Sequence, residues 1–434
     1  MMRSTIFILF FLMIPYAVYG QQQDSKARAG SPYSSIAFGL PADLLSPHTT
    51  GMGLSGVSVY NSFTTNTANP ALWSISAYTQ GAIALGFQNY NASDGLENAI
   101  YNQFTIDQFQ LVLPIRRSQI GLSLGFSPVT RSSYELTGFG TIQPEPGGEP
   151  VEFLNQVTGS GGINKLELGL GYRFASNFAI GYAGSLYLAS LTRDFDTAFG
   201  IAAFDNISFT ENISGISFGH RLGFFGRHDG LFGSNDEIAL GASLNLPVNI
   251  DVEQDLTSFR NVGGQLRRVN LLPEGADRSG NIQLPLEFNL GLTYNLSRVL
   301  NFSVEYTEQL WGEAEYSLNP SQEQFLVDRT KIGIGSQYLP YTREGSTGFL
   351  SNFKYSVGVT YDTGHLMIED NKIETLLFHS GIGILSERTA SSVDLSFQFG
   401  FRGTEEQNLI QETIWGFKLS LNLAEIMFVQ PRFQ

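Results

Sequence analysis

Val393-Asp394-Leu395-Ser396-Phe397-Gln398-Phe399-Gly400-Phe401-Arg402 places an apolar residue at every second position, with small, polar or charged residues between. A strand sends alternate side chains to opposite faces, so this stretch has one greasy face and one polar, partly ionised face. In a soluble sandwich the greasy face meets a second sheet. In an outer-membrane barrel it meets lipid, and the polar face lines the lumen.

The pattern repeats from about Gln80 to Leu423. It predicts fourteen strands, at about 79–89, 104–114, 119–137, 161–174, 178–193, 206–225, 237–252, 282–296, 299–311, 325–338, 352–364, 375–385, 390–402 and 410–423. The alternation breaks within 206–225 and 325–338. Short connections (Ile115 to Ser118, Ala175-Ser176-Asn177, Ser297-Arg298, Leu385 to Thr389) largely alternate with long polar ones at 90–103, 138–160, 194–205, 253–281, 312–324 and 365–374. The stretches 226–236 and 339–351 are longer members of the short set. Outer-membrane barrels have this asymmetry, with periplasmic turns at one end and external loops at the other. An even strand count puts both termini in the periplasm.

The greasy stripes agree. Leu166, Leu168, Leu170 and Tyr172 form one, Phe288, Leu290, Leu292 and Tyr294 another, and Tyr355, Val357, Val359 and Tyr361 a third. Tyr recurs near their ends, where an interfacial girdle sits. The expected fold class is therefore all-β, a transmembrane antiparallel β-barrel of about fourteen strands. Closure removes the edges an open sheet would expose to lipid. A lumen of that width is not filled by its own side chains, so something plugs it or passes through it.

The first twenty residues read as a leader. Arg3 gives the positive start, Thr5 to Val18 the apolar run, and Val18-Tyr19-Gly20 the small residues a signal peptidase reads. That run is too short for a membrane-spanning helix. The domain reading is a signal peptide over 1–20, an N-terminal plug over 21–77, a barrel over 78–423 and a periplasmic tail over 424–434. The address is the outer membrane of a Gram-negative bacterium.

Charged residues are 15%, against about a quarter in ordinary soluble domains, and aromatics are 13%. The absence of cysteine excludes a disulfide scaffold, a lipoprotein anchor and cysteine-based metal or catalytic sites. A net charge of −15 excludes nucleic-acid phosphate as a partner.

Residues 21–77 do not alternate. They hold Gly39-Leu40-Pro41-Ala42, Gly51-Met52-Gly53-Leu54-Ser55-Gly56 and Thr67-Ala68-Asn69-Pro70-Ala71-Leu72-Trp73. Gly51, Gly53 and Gly56 match a dinucleotide fingerprint only as letters. No buried strand precedes them, and no acidic residue sits about twenty positions on. They suit a backbone turning tightly against the barrel wall.

The Met-Gly pair, the apolar Val57 to Tyr60 and Asn69-Pro70-Ala71 before the first strand resemble the N-terminal region of the long-chain fatty-acid transporter family, the FadL-type outer-membrane proteins. The likeness extends along the mature chain. Ser31-Pro32-Tyr33-Ser34 and Trp415 to Phe433 resemble a divergent branch of that family.

The resemblance implies passive uptake of fatty-acid-like or hydrocarbon molecules. They would cross a plugged lumen and leave sideways through a break in the third strand. Here the third segment alternates perfectly from Ile120 to Ser127 and stops at Pro128, which cannot donate to the ladder. Phe126, Ser127 and Pro128 are the candidate lateral gate. The alternative is that Pro128 ends the membrane-spanning part. The family's Pro-Phe-Gly-like stretch is absent.

Lys165, Glu167, Glu305, Asp394, Arg402 and Lys418 are expected to face the lumen, pair across it and anchor the plug. A substrate-carboxylate role for Lys418 or Arg402 is the alternative. Expected partners are outer-membrane lipid, a hydrophobic small molecule and the barrel assembly machinery. No cofactor, metal or catalytic residue is assigned.

Three other functions compete. A rim enzyme could use, of the five histidines, only His365 beside Asp362 and Glu369, and no nucleophile motif accompanies it. A FadL-like barrel could serve as scaffold or shuttle in a secretion system, working through its long loops. A water-filled diffusion pore is the third.

Overall fold

A computed structural model describes residues 30–61, 64–143, 149–201, 204–262, 265–272, 278–297, 299–340, 349–385 and 391–425. The leader and nearly all of the C-terminal tail lie outside these residues. Among them, fourteen antiparallel strands form one closed barrel. They are β1 (Thr79–Ser93), β2 (Asn98–Arg116), β3 (Ile120–Ile142), β4 (Val151–Ala175), β5 (Phe178–Phe199) and β6 (Ile207–Asp229). Then come β7 (Glu237–Asn245 and Val248–Val262), β8 (Ser279–Leu284 and Glu287–Asn295), β9 (Leu300–Gln309) and β10 (Arg329–Tyr338). The last four are β11 (Phe353–Asp362), β12 (Thr375–Leu385), β13 (Ser392–Arg402) and β14 (Gln411–Glu425). β14 closes the ring on β1, from Thr79↔Glu425 to Ser93↔Gln411.

The alternation carries this closure. On β13, Val393, Leu395, Phe397, Phe399 and Phe401 stay 37–46% exposed while Asp394, Ser396 and Gln398 are 4–6% exposed. No described helix is long and apolar enough to cross a membrane. The strands do so, each satisfying its backbone through two neighbours along all or part of its length.

The long connections expected over 138–160, 194–205 and 253–281 are mostly strand. β3 runs on to Ile142, β4 starts at Val151, β5 reaches Phe199, and β7 continues to Val262. The reason is an exchange of faces. On β7, Leu240 points out and is 48% exposed, while Ala239, Gly241 and Ser243 are buried. Beyond Leu246-Pro247 the apolar Val248, Ile250 and Val252 are the buried ones, and Asn249, Asp251 and Glu253 are exposed. A search for a greasy lipid-facing stripe stops where the membrane stops, although the ladder continues into water. Both β7 and β8 break there, at Leu246-Pro247 and Pro285-Leu286, and β3 carries a bulge between Pro128 and Thr130. Proline cannot donate to a ladder and collects at such breaks.

Above the apolar band the inner faces therefore build a core of the kind found in soluble proteins. It joins Ile163, Leu191, Ile213, Ile250 and Ile282 of the strands to Trp311, Tyr316, Leu366 and Leu409 of the loops. Phe38 of the N-terminal segment lies among them, 1% exposed, with its ring 5.6 Å from Trp311 and edge-on to Tyr316 at 5.9 Å.

Below this core, the segment from Ser46 to Ser76 lies against inward-facing glycines of the wall. A Cβ built on Gly241 would overlap the Val57 carbonyl, one on Gly181 would overlap Pro70, and one on Gly358 would overlap the Met52 carbonyl. Gly241→Val should therefore displace Val57 at a cost of about 1–3 kcal/mol of overpacking. Limited proteolysis should then cut within 50–61 far faster than in the parent protein. Unchanged protection would mean that the wall shifts instead.

Candidate functional site

β2 and β3 part company halfway up. They pair from Arg116↔Ile120 to Phe109↔Phe126. Beyond Phe126, β2 pairs only with β1, and β3 only with β4 on its other edge. The freed edge of β3 is met by the N-terminal segment. Leu40 and Pro41 pair with Arg131 and Thr130, Ala42 N–H donates to the Val129 carbonyl at 2.8 Å, and Gly30 N–H donates to that of Ser133 at 2.9 Å. The Thr130 hydroxyl donates to the Phe38 carbonyl at 2.8 Å. Across the fork, the Arg131 guanidinium holds Asp107 of β2 at 2.9 Å, and Lys418 reaches the other Asp107 oxygen at 3.2 Å.

Deeper in, each wall cation or carboxylate finds a partner in the segment or beside it. Both oxygens of Glu305 are occupied. They accept from Ser55 N–H (2.7 Å), Ser55 Oγ (2.6 Å), Gly56 N–H (2.7 Å) and Val57 N–H (2.8 Å). Gly56 sits at φ +84° and Gly53 at +69°, the left-handed conformation that lets successive N–H groups converge on one carboxylate. Gly51 lies against Gly381 and Ser356, and Gly53 against the His379 ring.

Asn69 accepts from Ala71 N–H (3.0 Å), capping the short helix Pro70–Ile75. Its amide donates to the carbonyls of Val57 and Phe224, both at 2.8 Å. Pro70 and Ala71 rest on Gly181 and Gly223.

The other lumen charges fall into separate groups. Glu167 pairs with Arg221, whose guanidinium also donates to the carbonyls of Thr67 (2.8 Å) and Ala68 (3.0 Å). Lys165, 7% exposed, lies 3.9 Å from Glu167. Asp394 pairs with Lys354, which donates to the His48 carbonyl at 3.2 Å. Arg402 holds Glu412 at 3.1 Å, and Glu412 accepts from the Ser31 hydroxyl at 2.6 Å.

Sequence reading did not single out Asp43, Arg221 or Arg329. Arg329 grips Asp362 and, at 2.8 Å, Asp43, which also holds Lys331 at 2.7 Å. Burial raises an acid's pKa, yet Arg329 and Lys331 overcome it and hold the Asp43 carboxyl well below the usual range. Arg221 was hidden by the irregular alternation around Gly219 and Gly223. Asp43 had no periodic signal to reveal it.

His365, the rim candidate, is buried at 3% exposure with its ring 5.2 Å from Trp311.

A cavity of about 80 Å³ lies between segment and wall. Leu45, Leu246, Leu284 and Trp311 give it an apolar side, Lys165 and Glu287 a polar one, and Pro128 and Val129 border it. A smaller recess of about 10 Å³, lined by Leu44, Phe109, Phe126, Ser127 and Glu167, sits at the fork.

Solved structures share this architecture. A Pseudomonas aeruginosa FadL homologue is similar with a TM-score of 0.57 at 11% identity, over 89% of this chain and 99% of that one. The monoaromatic hydrocarbon channel CymD gives 0.51 at 14% identity over 89% and 98%. The P. putida toluene transporter TodX gives 0.51 at 13% identity over 90% and 100%. At these identities the likeness is one of fold. Comparison with curated proteins gives no match. The family model described as BamG matches residues 1–434.

Proposed function

The chain belongs to the BamG family, and from its FadL-like barrel we propose an outer-membrane channel for hydrophobic small molecules, held shut by the N-terminal segment 21–77, described over 30–61 and 64–77, acting as a plug. The observation that carries this reading is the fork. At Phe126 the wall loses its ladder beside two internal spaces, one lined by Phe126 and Ser127 and the other bordered by Pro128. An apolar molecule in the lumen would leave there into the bilayer without crossing water. That makes Phe126, Ser127 and Pro128 the gate and Arg131–Asp107 the tie across it. The turn end, where Thr79 and Glu425 both lie, would face the periplasm. Delivery would use the leader and the barrel assembly machinery.

Toluene or fatty-acid uptake into cells tests this. Ser127→Val combined with Pro128→Thr should restore strand character, close the fork and reduce uptake at least tenfold, while the barrel still assembles. Uptake at the parent rate would remove lateral exit from the account.

The packed outer core favours a second reading. Among the described residues, Phe38, Trp311 and Tyr316 fill the loop end, so the barrel could act as a scaffold or shuttle in a secretion system. Co-purification of a defined secretion subunit with no lipid in the lumen would support that role. Extracted apolar small molecules would support transport. An 80 Å³ cavity weighs against a general diffusion pore.

A further inference from the structure

Lys165 borders the cavity between segment and wall, is 7% exposed, and donates no hydrogen bond among the described residues. The nearest carboxylate oxygen, on Glu167 at 3.9 Å, accepts instead from the Ser185 hydroxyl at 3.1 Å. The other Glu167 oxygen holds Arg221. Tyr187 stands opposite Lys165 in the β4–β5 register, borders the same cavity and is 5% exposed. Its hydroxyl also makes no hydrogen bond among the described residues. A buried ammonium and a buried hydroxyl without partners are costly, and such groups are rare in folded proteins. Here the two share one space, so a single occupant can serve both.

The cavity measures about 80 Å³. At about 10–15 Å³ for each water-sized group, it takes roughly five to eight non-hydrogen atoms, the size of a benzene ring with one small substituent. Charge decides what that substituent is. The lining holds three cations, Lys165, Arg221 and Lys331, and three carboxylates, Asp43, Glu287 and Glu305, so its formal sum is zero. Glu287 is satisfied by the neutral amides of Asn245, Asn289 and Gln309 and remains a fixed negative charge beside the site. A carboxylate ligand would add a buried negative charge with no cation left over, and taking it out of water is costly. A hydrocarbon would leave Lys165 and Tyr187 unpartnered. A neutral hydroxyl answers both, because its oxygen accepts from Lys165 and its hydrogen goes to the Tyr187 oxygen.

We propose that this cavity binds a small neutral alcohol or phenol, with its hydroxyl between Lys165 and Tyr187 and its carbon body against Leu246, Leu284 and Trp311. The proposal names a substrate class for the channel put forward above and rests on that reading. Lys165 also lies opposite Ser127 in the β3–β4 register, and Pro128 borders the cavity. The bound molecule therefore waits beside the gate.

Phenol and toluene differ by a hydroxyl in place of a methyl group, and benzoate carries the charge, so the three separate the possibilities. In titration calorimetry on the purified full chain in detergent, phenol should bind at least tenfold more tightly than toluene and than benzoate. Tenfold is about 1.4 kcal/mol, the low end of what a hydrogen bond to a charged group contributes. Lys165→Met should bring the phenol-to-toluene ratio close to one, with heat-modifiable migration confirming a folded barrel. A merely structural loss would weaken both ligands alike and leave the ratio intact. Tyr187→Phe, a milder change, should lower the ratio about threefold. Equal binding of phenol and toluene, tightest binding of benzoate, or a ratio that survives both substitutions would each overturn the proposal. All three results would leave the channel standing, because uptake by cells is what tests it.

Discussion

Glu305→Ala should release the stretch from Ser55 to Val57 from the barrel wall and speed its amide exchange about a thousandfold, while the strands keep their protection. The carboxylate accepts three backbone N–H bonds and one hydroxyl bond from this stretch. The alanine variant leaves those donors buried with no acceptor. At about 1–3 kcal/mol for each orphaned donor, a total near 4 kcal/mol is conservative, and 1.4 kcal/mol is a factor of ten. Hydrogen exchange followed by mass spectrometry reads the effect peptide by peptide. Glu305→Gln keeps one acceptor oxygen and should show a smaller change. If both variants exchange like the parent, the segment is held by its glycine contacts and this carboxylate is incidental.

The second large effect belongs to Phe38→Ala. Deleting a fully buried aromatic ring costs about 3–5 kcal/mol, and this ring joins the N-terminal segment to Trp311 and Tyr316. The loss should fall on the outer core alone, because the membrane band rests on its ladders and on lipid. Water reaching Trp311 should shift its emission to the red, read against a variant lacking the other tryptophans, Trp73 and Trp415. The barrel should still migrate as folded. Parent-like emission with an intact barrel would mean that Phe38 is not what closes the loop end.

The strands were legible because the lipid-facing row and the ladder share one period. On β13 and β4 the apolar residues named from sequence are the exposed ones. The legibility ended at the band edge. Above Pro247 the period persists with the faces exchanged, so Val248, Ile250 and Val252 continue a strand that a lipid-stripe search abandons. Glu305 could be placed on the inner face from its parity, but its partners are backbone N–H groups, which leave no trace in composition. Asp43 and Phe38 lie in a segment with no period at all. Their roles come from chain segments hundreds of positions away, and only closure brings those segments together.

Part of the seat of the segment's first described residues is made by the last strand. Ser31 donates to Glu412 of β14, and the Tyr33 hydroxyl to the carbonyl of Ile410 just before it. A polypeptide is synthesised and exported from its amino end, so this stretch arrives first and that part of its dock arrives last. Its contacts on β3, through Gly30 and Ser34 to Ser133, can form early, whereas the part of its seat made by Glu412 and Ile410 is completed only when the last strand is in place. A carboxy-terminal truncation would therefore be felt at the opposite extremity of the molecule.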